Sequence, residues 1–202
     1  MSLALPGGLP ADTDPPWLPD ESLVADLRRH LRPDPASSTA GSRFESWAWS
    51  TLLDQVGPGL LTRAAAPAHV TASSIIFDPD LSHTLLVLHG RAHIWVQPGG
   101  HLEAGDATVA GAAAREALEE TGLTCQVLPL APLLSRHNAP CRPGEVDWHL
   151  DLQFACLSER IPPQVSTESD DVAWFPLDDL PQPLAADMRI DEALTLVRAH
   201  RA

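Results

Sequence analysis

Lysine is absent from all 202 residues. Any direct cationic contact to an anion must therefore come from arginine, protonated histidine or a helix N-terminus. Basic residues are scarce altogether, 13 against 27 acidic ones, for a formal net charge of −14. That balance argues against a nucleic-acid polymer or an anionic membrane as partner, since either would want a basic patch. A small anionic substrate stays compatible with it, because bound divalent cations reverse the local field. Cysteine is also sparse. Cys125, Cys141 and Cys156 are odd in number and form no CxxC pair, which reads as thiols in a reducing, cytoplasmic setting rather than a disulfide framework. No apolar run approaches the roughly 20 residues that span a bilayer. The N-terminus lacks the basic-then-apolar order of a secretory signal. No internal repeat is visible.

What is present suits one domain with an extension: 44% hydrophobic residues in a chain long enough to bury a sizeable core. Met1 to Pro19 is rich in Pro, Gly and Asp and reads as a poorly ordered leader. Leu23, Val24, Leu27 and Leu31 make one stripe of an amphipathic helix, capped by Asp20 or Ser22. Pro33 and Pro35 stop it, ASSTAGS is a linker, and Phe44 to Val56 is a second helix in which Trp47 and Trp49 are packing residues. Residues 1–66 are thus a leader and a helical extension, and 67–202 the main domain.

From His69 the pattern changes to strands: His69–Phe77 and Thr84–His89 as a hairpin, a short strand near Ile94–Val96, then Thr124–Leu130, Trp148–Leu157 and Asp171–Leu177. Ser135 to Val146 reads as a long loop with His137, Cys141, Arg142 and Glu145. In Trp148–Leu157 the apolar residues face one way, and His149, Asp151 and Gln153 the other. His149 and Asp151 could touch a metal or substrate, or be an ordinary hydrogen-bonded pair. Ile190–Ala199 closes the chain as a helix. The irregular alternation argues against a doubly wound sheet and for an α/β (α+β) architecture with a mixed sheet and helices on its faces.

The chemistry concentrates in Gly99–Leu123, GGHLEAGDATVAGAAAREALEETGL. On a helix, Glu116 lies beside Glu119 and Glu120, and Arg115 reaches Glu119 at i+4. Like charges so close repel, and a hard divalent cation that prefers oxygen ligands would relieve them. Gly122 ends the helix as a left-handed cap. The stretch resembles the Nudix box: Gly, five residues, Glu, seven residues, then Arg-Glu-apolar-x-Glu-Glu-x-Gly-apolar. Gly100 matches the first glycine and Arg115–Leu123 the whole second half. Asp106 stands where the first Glu is expected, and eight residues, Ala107 to Ala114, follow it instead of seven.

The resemblance implies the Nudix-like α/β/α sandwich and a pyrophosphohydrolase that uses Mg²⁺ or Mn²⁺ on a nucleoside diphosphate linked to another group. Glu119 and Glu120 match principal metal ligands, Glu116 a ligand or the water-activating base, and Arg115 the residue that orients the carboxylates. The Gly99 carbonyl is a further expected ligand. Asp106 is either a ligand or the helix N-cap. Outside the box, Glu145, Glu168, Asp170 and Asp171 are candidates for an additional acid. Glu103 is a candidate supporting partner, and His137, Arg142, His149, Asp151 and Asp171 are candidates for substrate contact. The expected partner is a small nucleotide or other diphosphate, with neither nucleic-acid polymer nor membrane, and a homodimer is compatible. Two alternatives stay on the same fold: a non-catalytic nucleotide sensor, and a prenyl diphosphate isomerase, for which no cysteine sits in a fitting context.

Overall fold

The computed structural model describes residues 17–32, 40–65, 67–142 and 145–202. Most of the expected leader and of the ASSTAGS linker lies outside the described residues. Helix α1 spans Glu21–His30 and α2 spans Ala40–Val56, which runs into a 3₁₀ turn at Gly57–Leu61. The strands are β1 (Ala68–Phe77), β2 (His83–His89), β3 (Trp95–Val96), β4 (Gly99–His101), β5 (Gln126–Val127), β6 (Leu133–Arg142), β7 (Glu145–Leu157) and β8 (Ser169–Pro176). Helix α3 (Val109–Thr121) follows β4, and α4 (Ile190–Arg201) closes the chain.

The eight strands form one mixed sheet with the path β3-β2-β1-β7-β5. Strand β4 pairs with β1, β6 with β7 and β8 with β2. Among the described strands, β1 and β7 are the pair that runs parallel, in register from Ala68↔Trp148 to Phe77↔Leu157. Strand β1 is buried along almost its whole length, as expected for a central strand whose two faces are both covered. On one face, Val70, Ala72 and Ile76 of β1 pack with Leu150, Leu152 and Phe154 of β7 against α1, α2 and α3. On the other, Ile75, Phe77 and Ala155 pack against Ile190, Ala193, Leu194 and Val197 of α4. This is the α/β/α layering expected for the family resembled. The N-terminal helices belong to the same core. Leu23, Leu27, Leu31 and Leu53 are buried against the sheet side that carries α3, and burial of each such leucine is worth about 1.5–3 kcal/mol.

Several expectations change. Residues Ser135–Val146 do not form a long loop: β6 and β7 are an antiparallel hairpin, with Ser135 opposite Asp151 and His137 opposite His149. Pro140 disguises the strand, but β6 pairs with β7 alone in the sheet path, and an edge strand tolerates proline. Helix α2 begins before Phe44, inside the expected linker. Trp49 is buried, whereas Trp47 is 64% exposed and rests its ring against exposed Phe44 at 5.9 Å, so it is no core residue. The strand after the box is only Gln126–Val127, shorter than Thr124–Leu130.

Candidate active site

Helix α3 lies close on the sheet because Ala112, Ala113 and Ala117 present almost no side chain to it. Ser74 of β1 donates its hydroxyl to the Ala113 carbonyl at 2.9 Å. The helix starts at Thr108, whose side chain accepts the Gly111 N–H, so Thr108 rather than Asp106 is the N-cap. It ends at Gly122, with φ 69°, whose N–H reaches the Leu118 carbonyl at 2.8 Å. That left-handed cap matches the sequence expectation.

Glu116 and Glu120 sit on the edge of the inward alanine face, and so turn toward the Gly99–Gly100 turn. Glu120 accepts the Gly99 N–H at 2.9 Å. A Cβ on Gly100 would stand 2.7 Å from the Glu116 carboxyl, and one on Gly99 would strike the Cβ of Ser73. Gly99 is required because β1 approaches too closely for any side chain, whereas a side chain at Gly100 would displace the Glu116 carboxyl. Burial raises the Glu120 carboxyl to about 8, with the Gly99 N–H opposing and the charges of Glu116, Glu168 and Glu119 adding to the rise. Burial likewise raises Glu116 to about 7 despite Arg115 beside it. Glu119 is more exposed and takes an Arg115 N–H at 3.0 Å.

Arg115 ties the group together. Its guanidinium donates to both oxygens of Asp106, to Glu116 and to the His101 carbonyl, each at 3.0 Å. These partners outweigh the burial that opposes its charge and hold it firmly protonated. The carboxylate of Asp106 also accepts the Glu103 N–H at 2.8 Å. Asp106 thus serves as a counter-charge to Arg115. Glu103 itself is largely exposed, 3.9 Å from Arg115.

The acids outside the box separate. Glu168, just before β8, is the one whose charge acts on Glu120. Asp170 pairs with His93 at 2.7 Å, and Asp171 accepts the N–H of its neighbour Val172. The side chains of Glu145 and Arg142 lie outside the described residues. Asp151 is fully buried and accepts from Thr71, Ser73 and Gln97. Burial raises its carboxyl above the ordinary range, although the hydroxyl donors oppose this. His149 instead lies 2.8 Å from the Cys141 sulfur, with the rings of His69, His101 and His137 about it. His137 pairs with Asp187 at 2.8 Å, ahead of α4.

The carboxylates of Glu116 and Glu120, crowded against a glycine cradle and raised by burial and by neighbouring acidic charge, fit a hard divalent cation. The side chains that could hold such an ion are those of Glu116, Glu119 and Glu120, and the charge of Glu168 acts on Glu120.

Comparisons with known proteins bear on the family and the fold. The NUDIX domain model matches residues 67–196. The solved Ap4A hydrolase of C. elegans, in a binary complex, matches with a TM-score of 0.52 at 19% identity, over 65% of this chain and 96% of that one. A NUDIX-family hydrolase from Clostridium perfringens matches at 0.49 and 22% identity, covering 64% and 97%. An ADP-ribose pyrophosphatase from Streptococcus suis matches at 0.48 and 25%, covering 66% and 92%. The comparison with curated proteins returns no match. With the box, the sandwich around it and a family model spanning most of the chain in agreement, the chain belongs to the NUDIX family, the Nudix-type hydrolases that act on pyrophosphate bonds.

Proposed function

We propose that the protein is a divalent-cation-dependent pyrophosphohydrolase that cleaves the diphosphate of a nucleoside diphosphate linked to another group. Water attacks one phosphorus, and the bridging oxygen leaves with the other phosphate. The observation that carries the reading is the pair Glu116 and Glu120, set against Gly99 and Gly100, with burial and neighbouring acidic charge raising both carboxyls. When bound, a divalent cation there screens the diphosphate and the charge that develops on the leaving oxygen. Arg115 holds Glu116 and Glu119 in place through Asp106 and the His101 carbonyl, so that the carboxylates are preorganised. With no lysine in the chain, the remaining phosphate charge falls to arginines and the cation.

The test is a panel of nucleoside diphosphate derivatives incubated with Mg²⁺ or Mn²⁺, following release of nucleoside monophosphate. Hydrolysis of at least one member is expected, lost in Glu120→Gln by about 100-fold or more, since charge-stabilising groups are commonly worth that much. Unchanged turnover in Glu119→Gln and Glu120→Gln would sink the assignment. Tight binding of one member without turnover would replace it with the sensor reading.

A further inference from the structure

Four strands bring a second set of ligand atoms together away from the carboxylates. His69 on β1, His101 on β4, Cys141 on β6 and His149 on β7 place one donor atom each within 4.8 Å of all the others. The Nε2 atoms of His69 and His101 are 3.0 Å apart. The Cys141 sulfur lies 2.8 Å from Nε2 of His149, 3.6 Å from that of His69 and 3.7 Å from that of His101. Zinc bonds of about 2.0–2.1 Å to nitrogen and about 2.3 Å to sulfur, set tetrahedrally, place two nitrogens about 3.3 Å apart and nitrogen and sulfur about 3.6 Å apart. The His69–His101 distance and the two distances from Cys141 to these histidines are near those separations, and the shorter Cys141–His149 contact would open to accept an ion.

We propose that His69, His101, Cys141 and His149 form a closed, structural site for a thiophilic transition-metal ion of the zinc class, distinct from the Mg²⁺ or Mn²⁺ site of the box. The donor chemistry selects the ion: one thiolate and three imidazoles suit zinc and are poor ligands for magnesium. Four protein ligands leave no open position, which marks a structural rather than a catalytic site.

The surroundings are those of a ligand set. Nδ1 of His69 lies 3.2 Å from the Ala65 carbonyl, a contact that puts the proton on Nδ1 and leaves the Nε2 lone pair facing the cluster. Arg63 donates to the Cys141 carbonyl at 2.8 Å and so holds the backbone that carries this sulfur. His101 joins the two sites, its ring in the cluster and its carbonyl on Arg115. An ion here would pin β4, a three-residue strand held to β1, together with the β6–β7 hairpin.

The experiment uses the full chain. Purified without chelator, it should carry about one zinc per chain by elemental analysis, matching the single four-ligand cluster. Cys141→Ser and His149→Ala should each weaken zinc binding by more than the roughly 10–100-fold that loss of an outer-shell partner costs. Glu120→Gln should keep its zinc, which separates this site from the carboxylates whatever the protein hydrolyses. Because a ligand variant could fail to fold, the stripped wild-type chain is also loaded with Co²⁺. Tetrahedral d–d absorption with a sulfur-to-cobalt charge-transfer band is expected. A wild-type chain that takes Co²⁺ without that band, or binds zinc no better than Cys141→Ser, overturns the proposal and leaves a hydrogen-bonded thiol–imidazole cluster.

Discussion

At the residue scale, Arg115 shows why a charge pattern alone understates a site. Its i+4 reach to Glu119 is legible from helical spacing, and the structure has it at 3.0 Å. The bond to Asp106 is not, because it closes across a turn whose length departs from the family pattern. A guanidinium presents a planar fork that lysine cannot reproduce. Arg115→Lys should keep the charge yet lose the two-oxygen contact to Asp106, lowering kcat by about 10–100-fold, the equivalent of one or two charged hydrogen bonds. Steady-state kinetics in which kcat is untouched would contradict this. Asp78 gives a prediction for pH. It accepts the N–H groups of Ser82 and His83 and the Ser82 hydroxyl in the turn between β1 and β2. Burial works against its charge, but these donors win, and its carboxyl is lowered from the ordinary value. A group lowered in the folded state stabilises above its unfolded pKa, and that contribution disappears as pH falls through the folded value. Urea titrations from pH 7 downward should show wild-type stability falling below about pH 4, the unfolded carboxylate value. Asp78→Asn should be about 1–3 kcal/mol less stable at pH 7 and lack that component.

At the element scale, α1 serves α3. Asp26, buried on α1, accepts the Val109 N–H at 2.8 Å, at the first residue of α3, and is itself braced by Arg29. A carboxylate at a helix N-terminus satisfies an otherwise open donor and meets the positive end of the helix dipole. Asp26→Ala should cost about 1–2 kcal/mol, in the range of a lost cap, and speed hydrogen exchange at the first amides of α3 before that of β1. Uniform acceleration across the chain would show instead that Asp26 acts only on global stability. Strand β4 is constrained as tightly. Gly99→Ala drives a methyl into Ser73 of β1 and should destabilise by about 1–3 kcal/mol, the usual cost of overpacking, readable in the denaturation midpoint. Neither contact shows in the sequence, where Asp26 and Val109 are distant and Gly99 reads as an expected metal ligand rather than as a packing position. Strand β6 was hidden for a related reason. Its polar residues face Asp187 and the buried Asp151 row, so they look like loop composition while lying in a hairpin.

For the whole molecule, the helices before residue 67 and the sandwich after it share one apolar cluster, with Leu27 and Phe154 both buried in it. Leu27→Ala and Phe154→Ala should each lower stability by about 2–5 kcal/mol and each leave a single cooperative transition. A separate, earlier transition in Leu27→Ala would mean that the extension folds on its own. The sequence by itself determined the class of fold, the helix that carries the acids, its end at Gly122 and the family, because those rest on periodicity and on a motif contiguous in the chain. Only the tertiary structure decided what Asp106 binds, that the charge of Glu168 acts on Glu120, and that His69, His101, Cys141 and His149 meet. These depend on strand register: β1 and β7 place His69 beside His149, β4 and β6 deliver the other two, and no local spacing records a meeting of four strands.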